Sequence, residues 1–142
     1  MTQRTKFKLI AYLLLLAVLI GLVVWLWMYN NSVKRDYERI SDMRVLQTRW
    51  LEYFNHYSTF EVNSCQIGRL VSVCGGDNGR SLSVDDLVDP KGSNQYHYLV
   101  EDVTESDFKV SFYLETNVGN LLPGKYVLTS QGIQSVLAVE VQ

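Results

Sequence analysis

The sequence predicts an α+β protein in which a long N-terminal helix, its first half embedded in a membrane, packs its second half on a small antiparallel β-sheet. Three observations predict it: an uncharged apolar run from Leu9 to Tyr29, an apolar stripe at helical spacing from Ile40 to Tyr57, and alternating apolar and polar residues after Pro90. The 142 residues leave room for one membrane segment and one small water-soluble head, and a two-domain enzyme does not fit.

Residues 1–8 form a short basic tail carrying Arg4, Lys6 and Lys8 and no acid, so 10 basic and 15 acidic residues remain beyond Tyr29. That mildly acidic balance argues against nucleic acid as a partner. Residues 9–29, beginning with Leu9 and Ile10, carry no charge. At about 1.5 Å per residue they make a helix of roughly 30 Å, the thickness of a bilayer's hydrocarbon core. A secretory signal has an apolar stretch of about 7–15 residues followed by a small-x-small cleavage site. Here the run is longer and ends in WLWMYNNS, so the expectation is a permanent anchor with membrane lipid as its first partner. Trp25, Trp27 and Tyr29 gather at the far end, where amphipathic rings prefer the headgroup level.

Lys34, Arg35, Arg39 and Arg44 beyond the span match the basic count of the tail, so the positive-inside rule leaves the orientation open. The short tail and a cysteine pair past the membrane favour an N-terminus in the cytoplasm and the head outside. Cys65 and Cys74 are the only cysteines and suit one small disulfide in an oxidising compartment; the alternative is two buried thiols in a cytosolic domain.

Residues 30–57 are expected to continue the helix. Ile40, Met43, Leu46, Trp50, Phe54 and Tyr57 recur at steps of three and four and form the stripe that packs on the sheet. Arg39, Asp42, Arg44, Arg49 and Glu52 are assigned to the opposite, solvated face. No proline precedes Pro90 and only Gly21 interrupts the first 67 residues, which favours one unbroken helix.

Residues 58–142 form the head. Glycine, serine and asparagine accumulate to Asp89, with CGGDNGR read as a flexible connection, and DPKGSN marks a turn. Four strands are expected in QYHYLVE, DFKVSFYLE, GKYVLTS and IQSVLAVEV. In the second, Phe108, Val110, Phe112 and Leu114 face one way and Lys109, Ser111 and Tyr113 the other, the signature of an antiparallel sheet buried on one face.

No residue pattern points to catalysis, a cofactor or a metal. His56 and His97 have no nucleophile pattern beside them and no tight ligand spacing. Glu101, Asp102, Glu105 and Asp107 lack regular calcium-loop spacing and read as a solvated hairpin turn. Asn30 begins an NNS glycosylation triplet, but it abuts the membrane.

The order of these segments resembles a type IV pilin or a type II secretion pseudopilin. FKLIAYLLLL from Phe7 is similar to the start of the mature chain in that family, and RISDMRVLQTRWLEYF to the helix that lies on the sheet. DPKGSNQYHY resembles the Asp-Pro-x-Gly turn before the first strand, and LPGKYVLTSQGI the closing strand and turn. The resemblance implies a pilin-like fold and, as partners, other pilin-like or secretion-system proteins. It also places the leader cleavage between Lys6 and Phe7, where the family has a glycine before the cut. Ala11 stands where the family has a glutamate whose charge meets a neighbouring subunit. A buried carboxylate in lipid needs a partner; its absence removes that requirement, and the resemblance then implies a minor, accessory or unprocessed relative of filament subunits in the cytoplasmic membrane, the alternatives being a processed filament subunit or an unrelated membrane-anchored binding domain.

Overall fold

In the computed structural model, residues 3–75, 82–93 and 95–136 are described, and the side chains of residues 3–9 and of Ala11 lie outside the described set. The chain is α+β. Helix α1 runs unbroken from Gln3 to Tyr57 and is followed by strands β1 (Leu99–Val103), β2 (Phe108–Leu114), β3 (Gly124–Thr129) and β4 (Gly132–Ser135). The helix stops where Ser58 takes a left-handed conformation, φ 57°, and returns its backbone N–H to the Phe54 carbonyl at 2.7 Å.

The strands form one antiparallel sheet in the order β1-β2-β3-β4, each hairpin-connected to the next. Strand β2 sits at the centre of the core. Phe108, Val110, Phe112 and Leu114 are buried and Lys109 is exposed, but on the face expected to meet solvent Ser111 is buried as well and Tyr113 is half-buried, because β1 and β3 flank this central strand. Val100, Tyr126 and Leu128 from its neighbours complete the face that meets α1.

From the helix, Ile40, Met43, Leu46 and Trp50 are buried, and Phe54 packs partly buried against the same cluster. Trp50 stacks on Phe108 at 4.2 Å between ring centroids and donates its indole N–H to the Phe60 carbonyl at 3.3 Å. A buried indole needs such a partner. Tyr57 departs from expectation: it is 38% exposed, and Tyr53, 5% exposed, takes the last buried position with its ring 4.6 Å from that of Tyr57. At Tyr57 the helix is ending while the sheet lies behind it.

Strand β2 starts beside Trp50 and ends beside Arg35 and Asp36, so it runs toward the apolar half of α1. The β2–β3 connection therefore lies at the end of the head nearest that segment. The β1–β2 turn lies at the far end.

Two expected strands are shorter in the structure. Residues 95–98 turn rather than extend, with Tyr96 N–H bonded to the Ser93 carbonyl and His97 N–H to that of Gln95. The last strand is described only as Gly132–Ser135; residues 137–142 lie outside the described residues. The connection from Ser58 to Asp89 is ordered along much of its length. Gly68 and Val71 donate to β1-side carbonyls of Val100 and Tyr98, Val71–Val73 forms a 3₁₀ turn, and Cys65 and Cys74 are joined in a disulfide. Most of CGGDNGR, residues 76–80, falls outside the described residues.

Candidate functional site

Two features of α1 are candidates for function, and they meet just past Tyr29. The first is the apolar segment. Its large apolar side chains from Ile10 to Tyr29, including Trp25 and Trp27, are 49–73% exposed, and none of them is covered by the described residues of the head. One helix of this chain is thus long and apolar enough to cross a membrane. Trp25 and Tyr29 stack at 6.0 Å, one turn apart at its end. Leu9, Lys6 and Phe7 lie in the helix with their side chains outside the described set.

The second feature is a buried ionic joint that locks helix to sheet. Arg39, expected on the solvated face, is fully buried together with Asp36. Its guanidinium grips Asp89 with a two-pronged bond, Nε to Oδ2 at 2.7 Å and Nη2 to Oδ1 at 2.9 Å. Its Nη1 donates to Asp36 Oδ1 at 2.6 Å and to Glu115 Oε1 at 2.9 Å. The planar fork of arginine suits a site with carboxylates on several sides.

Around this centre the remaining lone pairs are also filled. Asp36 accepts from the backbone N–H groups of Glu115 and Thr116 and from the Thr116 hydroxyl, so it clamps the end of β2 to the helix. Asp89 accepts from the backbone N–H of Lys91 and Gly92, with Gly92 at φ 55°, a turn that a side chain would strain. Glu115 is held by Arg35 through Nε at 2.8 Å and Nη2 at 2.9 Å, and by Lys91 Nζ at 2.8 Å. Arg35 Nη2 also reaches Ser32 Oγ at 2.9 Å. Tyr96 closes the set, its ring centroid 3.9 Å from Lys91 Nζ and 4.7 Å from Arg39 Cζ.

Three cations thus meet three carboxylates, and the joint is neutral when all are ionised. Burial alone would raise the Glu115 carboxyl, but hydrogen bonds from Arg35, Lys91 and Arg39 outweigh it and hold the group down at about 2. Burial likewise works against the Arg39 cation, and its bonds to Asp89, Glu115 and Asp36 overcome that and raise its pKa. One turn further along, Asp42 is raised, chiefly by burial, while accepting from the Tyr98 hydroxyl at 2.8 Å.

The spacing of these residues shows what sequence reading missed. Asp36 and Arg39 fall on the three-four rhythm that continues through Met43, Leu46, Trp50 and Tyr53, all of them buried. Opposite charges three apart on a packing stripe signal a buried pair rather than a solvated face. Its far partners, Asp89 of the Asp-Pro-x-Gly turn and Glu115 after β2, leave no such mark.

The other candidates stay ordinary. His56 is exposed and His97 half-buried beside Leu70 and Tyr98. Glu101 pairs with Lys125 at 2.7 Å and Asp102 with Lys109 at 3.6 Å, while Asp107 Oδ1 accepts from the Phe108 and Ser130 backbones. Arg49, Glu52, Tyr53, His56 and Leu82 line a hollow of about 480 Å³, but the Arg49 guanidinium is already engaged by Asp86 and the Ser83 carbonyl. Among the described residues no group of three or more His, Cys, Asp or Glu side chains is placed to hold a metal. The joint can hold the head rigidly on the helix. No family model, no curated protein and no solved structure matches this chain.

Proposed function

We propose that this chain is a single-pass, membrane-anchored, pilin-like protein that serves as a minor, accessory or unprocessed component of a type IV pilus or type II secretion-type apparatus. The N-terminus lies in the cytoplasm and the head outside the cytoplasmic membrane. The observation that carries the reading is the continuity of α1: one 55-residue helix bears large apolar side chains that are exposed from Ile10 to Tyr29 and packs on an antiparallel sheet in its second half.

A rigid link of this kind transmits position. Because the ionic joint ties Asp36 and Arg39 to both β2 and the Asp89 turn, the head cannot swivel on its anchor. Helix packing within the membrane and head contacts outside it are then coupled. The disulfide between Cys65 and Cys74 supports an oxidising location for the head.

Fractionation of host cells tests the proposal. The protein is expected in carbonate-washed membranes and not in sheared filaments, and Ala11→Glu is expected to leave it there. Enrichment of the Ala11→Glu chain in sheared filaments would show instead that the chain is a cleaved filament subunit. Release by carbonate would remove the membrane reading altogether.

A further inference from the structure

Resting on the single-pass reading, we infer that a second copy of this chain docks on the flank of the head built by the Cys65–Cys74 loop and the segment before Asp89, the two copies being related by a twofold axis along the bilayer normal. The first support is where apolar surface is left in water. Beyond Tyr29, nine large apolar side chains are exposed among the described residues, and four of them are Ile67, Leu70, Val73 and Val88, at 69, 42, 48 and 58%. Three belong to the loop that the disulfide closes, and Leu70 and Val88 line one small hollow with His97. Apolar side chains gathered in this way mark an interaction surface, whereas singly scattered ones need no explanation.

The loop presents that surface already formed. Gly68 and Val71 donate their N–H groups to the Val100 and Tyr98 carbonyls, and the Val100 N–H donates to the Arg69 carbonyl at 2.9 Å. Val71 and Cys74 are fully buried as anchors while Ile67, Leu70 and Val73 stay outside. Leu70 bridges to Leu99, so the loop already occupies the outer edge of β1, and a partner there meets side chains and not free strand hydrogen bonds. A preformed surface loses little entropy on docking.

The second support, charge, selects the occupant. Arg69 borders the apolar side chains within the loop, and Asp85 stands three residues before Val88. Both are exposed, and neither forms a salt bridge among the described residues. Arg49, the cation nearest Asp85 in charge, is engaged by Asp86, and Asp89 by Arg39. A surface with one unpaired cation and one unpaired acid about an apolar patch is complementary to itself: a twofold axis through the patch sets Arg69 of each copy toward Asp85 of the other.

The membrane agrees with this symmetry. Two copies inserted the same way share the direction of α1, and a twofold that preserves it runs along the normal, so the contact must lie on the side of the head. Strand β2 runs along α1, which puts the edge strand β1 and the loop beside it on that side. Anchoring also removes part of the translational and rotational freedom that docking costs, so a patch smaller than the roughly 800 Å² per partner of a free complex can hold the pair.

The test is sedimentation equilibrium of the full chain in density-matched detergent micelles, with near-ultraviolet circular dichroism to check each variant's fold. We expect a dimer that Val88→Glu and Arg69→Asp each weaken at least about tenfold. Asp85→Arg added to Arg69→Asp is expected to restore most of the loss, and Leu122→Glu, exposed on the β2–β3 connection, to change nothing. A monomer at every concentration would overturn the inference and leave the flank to a different protein. A dimer indifferent to Val88→Glu and Arg69→Asp would overturn it in favour of pairing through α1. Flotation with vesicles of phosphatidylethanolamine and phosphatidylglycerol reads the anchor separately: its failure would overturn the single-pass reading, and with it the axis along the normal, whatever the mass.

Discussion

Replacing Arg39 by methionine removes the cation from among three carboxylates while keeping most of the side chain's volume. Asp36 keeps its bonds from the Glu115 and Thr116 backbone and the Thr116 hydroxyl, and Glu115 keeps Arg35 and Lys91. Asp89, 4% exposed, keeps only the Lys91 and Gly92 N–H groups and loses both prongs of the guanidinium. Stranding buried charge in this way costs about 3–5 kcal/mol. By contrast, Arg49→Met breaks a pair whose Asp86 partner is 63% exposed, and such a pair contributes about 0–1 kcal/mol.

The assay is urea unfolding of the full chain in detergent micelles, with Trp25 and Trp27 replaced by phenylalanine so that Trp50 alone reports on the head. With a slope of about 1–3 kcal/mol per molar urea, Arg39→Met is expected to lower the midpoint by at least about 1 M. Arg49→Met is expected to leave it nearly unchanged. Equal, small shifts for the two variants would refute the claim that the Arg39 charges are buried and hold the head on the helix.

Acid should weaken the same joint with a defined sign. Glu115 is held at about 2 against an ordinary 4.5, so the unfolded chain takes up that proton first. Its contribution, at most about 3 kcal/mol, is complete above the unfolded value and is lost as pH falls from about 4.5 toward 2. Glu115→Gln is expected to flatten this acid limb in unfolding midpoints measured from pH 6 down to pH 2; an unchanged limb would argue against the assignment. Trp50→Ala, which empties a fully buried site against Phe108, is expected to cost about 3–5 kcal/mol in a urea titration followed by circular dichroism, since the variant lacks the fluorescent reporter. Reduction of the Cys65–Cys74 bond is expected to cost about 2.5–3 kcal/mol, read as a lower midpoint with reductant.

Periodicity made much of the fold legible. The apolar run to Tyr29 and the stripe from Ile40 to Trp50 specify α1, and the alternation in DFKVSFYLE specifies β2, because both patterns follow directly from which side chains must leave water. Tyr57 and the short β1 were harder: the stripe outruns the sheet it packs on, and Ser93–Tyr96 hydrogen bonds decide the turn before Leu99. The joint was the least legible part. Arg39 looks like a surface residue until Asp89, 50 positions away, and Glu115, 76 away, are brought to it by tertiary packing. Such pairings depend on sheet topology, which no local pattern in the chain encodes.

Intact mass measurement with N-terminal peptide mapping, made on protein recovered from carbonate-washed host membranes, tests the central claim most directly. The account predicts a chain that begins at Met1 or Thr2 and keeps the whole of α1. A chain beginning at Phe7 would contradict the unprocessed, accessory role, and one beginning near Asn30 would show that the apolar half of α1 is a removed signal and not an anchor.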